Sequence, residues 1–137
     1  MEKINQKNRK NLDIIEWSKK KIEINNSNKY PRFFKEREIW WASIGSNVGS
    51  EEDGKNNDFE RPVLILKKFN KDLIITIPLT SKIKESVFYY DLKTPNFGSV
   101  ILSQLRVFSS KRLRRKIIRI NKLEYLEILK LIIRCLG

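Results

Sequence analysis

Three short apolar runs, separated by one long polar loop and one tight turn, decide most of what this chain can fold into. Residues 38–44 carry Ile39, Trp40, Trp41 and Ile44; residues 62–66 are Val63, Leu64, Ile65 and Leu66 behind a proline; residues 73–79 are β-branched almost throughout. Runs this short and this rich in Ile, Val and Trp read as buried strands. Phe69-Asn70-Lys71-Asp72 turns the second run back on the third. In an antiparallel hairpin the start of one strand and the end of the next share a sheet edge, which brings Arg61 and Thr80 to the same place. A guanidinium offers planar, permanently charged donors suited to a phosphate. For the two residues taken alone, a surface arginine and a strand-end threonine remain the commoner explanation. Between the first two runs lies the loop 45–60, with three glycines and five acids. Loops of that length inside a domain are usually functional or disordered.

The rest of the chain reads as mainly β with flanking helices. Residues 1–10 are polar and expected to fray. Asn11 caps a helix over 11–24 whose apolar face is Ile14, Ile15, Trp17, Ile22 and Ile24. Trp17 is expected as a core anchor, and Phe33 and Phe34 as anchors of the linker around Pro31. Further strands are expected at 86–92, at 98–108 with a break at Ser103-Gln104, and at 115–120. A turn at 93–97 and a short helix over Lys111-Arg112-Leu113 separate them. The clearest helix is 121–135, capped by Asn121 with Glu124 placed as in a capping box. The chain divides into a basic helical extension, 1–35, and a body, 36–137.

Charge falls unevenly on that plan. The net charge of +13 sits in the flanks: residues 1–35 carry net +6 and 110–137 net +7, while ten cations balance ten anions between them. A near-neutral body with basic ends suits a polyanion lying across the surface, although a Lys- and Asn-rich composition would give the same count for solubility alone. Cys135 is the only cysteine, so no internal disulfide forms, and a cytoplasmic location without membrane contact is expected. With no histidine, an imidazole acid–base pair is excluded. No metal or other cofactor is expected: Glu51, Glu52, Asp53 and Asp58 share the loop, but loop acids usually face solvent.

The order of motifs adds a resemblance. REIWWASIG, VGSEEDGK, ERPVLIL, IPLTS and GSVILSQLRVFSSKRL, together covering residues 37–113, resemble the MazF/PemK (Kid) family of toxin ribonucleases, with its E-I-W strand, G-S-E-Q loop, R-P-V, P-x-T-S and Q-x-R-T…K-R-L. The resemblance implies an SH3-like β-barrel, a homodimer, and metal-independent cleavage of single-stranded RNA through attack by the ribose 2′-hydroxyl. It implies a toxin silenced by a cognate antitoxin protein, with DNA contacted only through the toxin–antitoxin complex. Carried over by motif, the principal catalytic roles fall on Arg61 and Thr80, with Glu51 and Ser81 behind them, while Gln104, Arg106, Lys55 and Lys82 are expected to touch RNA. This chain departs from the pattern in four places. The loop is longer before Arg-Pro, Glu52 stands where Gln is usual, Ser103 where many members carry an acid, and Val107 replaces Thr. Those departures leave a second possibility, a non-catalytic SH3-like module that binds nucleic acid or protein.

Overall fold

Strands β1 (Glu38–Ser43), β2 (Glu60–Lys68) and β3 (Leu73–Thr80) lie side by side and antiparallel, as the three apolar runs require. The computed structural model describes residues 2–29, 31, 33–82, 85–93 and 98–137, with the main chain alone for 2–4. The runs are continuous rather than alternating because the sheet is covered on both faces. Leu64, Leu66, Ile77 and Leu79 pack on one side with Ile128 and Ile132; Val63, Ile65 and Ile74 pack on the other with Phe34, Trp40 and Phe108.

Four further strands complete the sheet: β4 (Tyr89–Asp91), β5 (Ser99–Ile101), β6 (Arg106–Ser109) and β7 (Leu113–Arg119). Their order is β4-β5-β3-β2-β1-β7, with β6 also on β3. The outer edge of β3 is thus shared. β5 takes its end, with Thr80 opposite Ser99, and β6 takes its start, with Ile74 opposite Phe108. A 3-10 turn, Leu102–Gln104, breaks the chain between them, at the place expected to bend. A barrel closes only when its first and last strands pair. Here β4 and β7 remain the two ends, so the expected SH3-like barrel is an open, mainly antiparallel sheet.

Helix α2 (Lys122–Leu136) covers the first face through Ile128 and Ile132. Asn121 caps it, its Oδ1 accepting from the Glu124 amide at 2.8 Å. The Glu124 side chain does not complete a capping box; its Oε2 accepts instead from the Tyr90 hydroxyl and the Lys93 amide, tying β4 to the helix.

Helix α1 (Glu2–Asn26) begins nine residues before the Asn11 cap expected for it, so residues 2–10, expected to fray, are helical. Its buried face is also narrower. Trp17 and Ile24 are buried against Phe59, whereas Ile15 and Ile22 face solvent, because the helix touches the body along a single stripe. Of the two linker aromatics only Phe34 is an anchor; Phe33 is 93% exposed. The expected strand at 86–92 shortens to β4, and residues 94–97 of the expected turn at 93–97 lie outside the described residues. No helix among the described residues is long and apolar enough to cross a membrane.

Candidate functional site

The β2–β3 register sets Val63 opposite Pro78, and two residues further along the pair stand Arg61 and Thr80. Both line one cavity of about 330 Å³, together with Ser81, Lys55, Trp41 and Ile117. Thr80 Oγ1 accepts from the Lys82 amide at 3.3 Å, which bends the exposed Ser81-Lys82 step away from the strand end. Four of the expected site residues, Arg61, Thr80, Ser81 and Lys55, are therefore gathered by one hairpin edge and the end of one loop.

Arg61 is held in place from three sides. Its Nε donates to the Asp53 carbonyl at 2.8 Å, Nη1 to the Leu79 carbonyl at 3.0 Å, and Nη2 pairs with Glu52 Oε2 at 3.0 Å. These contacts occupy three of the five guanidinium N–H groups and fix its plane. The side chain is only 12% exposed, so it could not take another rotamer without breaking two bonds to main-chain carbonyls.

Glu51, Gln104 and Arg106 are placed elsewhere. They line a second cavity, about 340 Å³, with Asn47, Glu52, Thr76, Pro78 and Phe108. Glu51 Oε1 accepts from the Val48 amide at 2.9 Å and so orders its own turn. Gln104 clasps the same turn, donating to the Ser50 carbonyl at 3.1 Å and accepting from the Glu52 amide at 3.3 Å. Arg61 stands at the wall between the two cavities, because Glu52 lines the second and reaches Arg61, which lines the first. The carboxylate in contact with the arginine is Glu52, one residue beyond the one the motif order points to. Among the described residues no group of three or more His, Cys, Asp or Glu side chains is arranged to hold a metal ion.

Arg112, outside the expected site residues, lies beside the second cavity's Arg106 and Phe108. Its guanidinium lies 5.5 Å from both the Trp17 and the Phe108 rings, and Arg106 lies 5.8 Å from Phe108. Burial, then the charge of Arg106, pulls the Arg112 pKa down to about 10. Burial also lowers Arg106, against the opposing pull of Glu51. Arg106 therefore faces the second cavity beside two carboxylates, Glu51 and Glu52, with Arg112 buried behind it. Only the Lys-Arg-Leu spelling marks Arg112 in the sequence, and its burial depends on Trp17, nearly a hundred residues away.

With this geometry in view, comparison with known proteins is informative. Residues 35–136 match the family model of the PemK-like, MazF-like toxins of type II toxin–antitoxin systems. Among solved structures, MazF from Deinococcus radiodurans aligns with TM-score 0.63 and 20% identity, over 80% of this chain and 99% of its own. A mycobacterial endoribonuclease in complex with its cognate antitoxin aligns with TM-score 0.60 and 12% identity, over 77% of this chain and 96% of its own. The MazE–MazF complex from Deinococcus radiodurans aligns with TM-score 0.59 and 18% identity, over 80% and 98%. At these identities the likeness concerns the fold. A search of curated proteins found no match.

Proposed function

The chain belongs to the PemK-like, MazF-like family of type II toxin–antitoxin toxins, and from that premise we propose that it is a metal-independent endoribonuclease acting on single-stranded RNA in the cytoplasm. The observation that carries the reading is the placement of Arg61 and Thr80 on one cavity at one sheet edge. RNA holds its own nucleophile, so the protein's task is to orient the phosphate and stabilise the charge that develops on it. The ribose 2′-oxygen bonds to phosphorus, its proton passes to a nearby acceptor, and the 5′-oxygen leaves and is protonated. Arg61 stabilises the phosphorane, with its plane already set by the Asp53 and Leu79 carbonyls. Thr80 donates a hydrogen bond to the phosphate or the 2′-oxygen, and Ser81 and Lys55 border the same space. Glu52 is the carboxylate in contact with Arg61 and the nearest candidate acceptor. Arg106, with Gln104, offers backbone or base contacts to RNA crossing the second cavity, and Lys82 does so at the rim of the first.

The partners follow from the same reading: a cognate antitoxin that occupies the RNA groove, a second copy of the chain, and DNA only through the antitoxin complex. A competing reading, a non-catalytic binding module, draws on Ser103 and on the engagement of three Arg61 N–H groups with the protein's own groups. Incubating the protein with RNA in excess EDTA and sequencing the ends separates the two. Cleavage that persists in EDTA and drops by about 10²–10³-fold in Arg61→Ala supports the ribonuclease, since removing one preformed donor costs that much elsewhere. Tight binding with intact RNA supports the module.

A further inference from the structure

We propose that α1, which lies outside the matched family region, is a brace on the loop that presents Arg61, with Lys10 and Trp17 as positioning residues; the proposal rests on Arg61 being the anion-binding group. The contacts of α1 with the body concentrate on two places, the loop 45–59 and the 3-10 turn Ser110–Arg112. Trp17 lies so close over Gly45, the loop's first residue, that a Cβ there would stand 2.3 Å from the indole. The same indole packs against Phe59 near the loop's end, with ring centroids 5.6 Å apart. Phe59 in turn closes the loop's base, its carbonyl accepting from the Ile44 and Gly45 amides. Two ion pairs fasten the part between: Lys10 to Asp53 at 2.6 Å and Lys20 to Asp58 at 2.9 Å.

Asp53 transmits this to the site. Lys10 holds Oδ2 and the Asn47 amide holds Oδ1 at 2.5 Å, while the carbonyl of the same residue receives Arg61 Nε at 2.8 Å. One residue thus separates the helix from the guanidinium. Gln104 holds the loop at Ser50 and Glu52, and over 53–59 the helix's side-chain contacts add to main-chain bonds from Gly54 to Gly45 and between Lys55 and Glu60. Releasing the helix frees the Asp53 carbonyl, and Arg61 then loses one of the two main-chain bonds that set its plane.

The test uses the full-length protein and reads two signals. One is hydrogen exchange of the Arg61 Nε–H by NMR, measured without RNA, so it reports on the brace even if the wild type proves not to cleave. The other is kcat against KM for RNA cleavage. Trp17→Ala should speed Nε–H exchange and lower kcat by about a hundredfold, the scale of a misplacement of about 1 Å passed on from a remote change. Lys10→Gln should do so by about threefold, as befits a half-exposed pair, and Lys10→Arg should restore both signals; β2 and β3 amides should stay protected throughout. The proposal falls if Trp17→Ala frees the α1 amides while Arg61 Nε–H exchange stays within twofold of wild type. Should Trp17→Ala fail to fold, Lys10→Gln decides alone, and an unchanged Nε–H overturns the brace. Loss of Nε–H protection in a wild-type background that never cleaves RNA would uphold the brace and end the ribonuclease reading.

Discussion

Removing the negative charge beside Arg61 should tighten RNA binding while costing stability. Glu52 Oε2 lies 3.0 Å from Arg61 Nη2, and the carboxylate is 28% exposed. An RNA phosphate engaging Arg61 must approach this charge. With a phosphate–carboxylate separation of about 6 Å and an effective dielectric of about 20, the repulsion is about 3 kcal/mol. Water and salt around a side chain that exposed reduce it to about half, or about tenfold in Kd. Glu52→Gln keeps the shape and a hydrogen-bond acceptor but discards the charge. We expect Kd for an uncleavable 2′-O-methyl RNA, measured at 0.15 M salt, to fall about tenfold. The lost ion pair, half-buried, should cost about 1 kcal/mol, or about 3 °C in Tm. Affinity is read rather than rate, because the same carboxylate is the nearest candidate acceptor for the 2′-hydroxyl proton. An unchanged or weaker Kd would refute the reasoning, since it would mean that the phosphate does not meet Arg61 on the side Glu52 occupies.

Three further outcomes follow from the same coordinates. Thr80→Val keeps the β-branched shape at the strand end and should reduce RNA cleavage about tenfold or more without shifting Tm by more than about 2 °C, since its hydroxyl accepts only a 3.3 Å bond from the Lys82 amide; cleavage at the wild-type rate would remove it from the site. Gly54→Ala puts a Cβ 1.7 Å from the Phe59 carbonyl oxygen, a main-chain clash that no rotamer relieves. It should destabilise the protein by about 3 kcal/mol or more, with amide exchange rising first in 45–59. Glu38 gives a pH signature. Burial works against its ionisation, but Trp40 Nε1 at 3.0 Å, the Lys35 amide at 2.8 Å and Lys116 at 3.0 Å outweigh burial and hold its pKa below the ordinary value. A depressed carboxylate pKa contributes stability that is fully present above the unfolded value, about 4.3, and is lost as pH falls through the folded one. Thermal unfolding should therefore show Tm level above about pH 5 and falling below about pH 4. Glu38→Gln should be about 2 kcal/mol less stable at pH 7, with a shallower acid limb; an unaltered acid limb would contradict this assignment.

What could be read in advance, and what could not, divides along the range of the interactions. The three central strands and the hairpin between β2 and β3 are encoded within 45 residues, and adjacency in that hairpin is what brings Arg61 and Thr80 together. Helix α2 is equally local, since the Asn121 cap bonds an amide three residues away. The open sheet was not predictable from strand content, because it depends on β5 and β6 sharing one edge of β3, a matter of how far each runs before the turn at Leu102–Gln104. In α1 four isoleucines and a tryptophan compete for one narrow contact. The choice is made by Phe59, whose ring meets Trp17 and leaves Ile14, Ile15 and Ile22 outside.

The hardest case is the pair Glu51 and Glu52, neighbours of the same type that point into different surroundings. Glu51 caps the Val48 amide and Glu52 turns to Arg61. No local preference separates them. Gln104, from the turn before β6, grips the Ser50 carbonyl and the Glu52 amide and so sets the angle at which the loop meets β2. The assignment of the carboxylate therefore rests on a residue 52 positions away. Motif order leads to the arginine through a strand, whereas which acid touches it is settled in a loop whose contacts come from Gln104, Lys10 and Trp17.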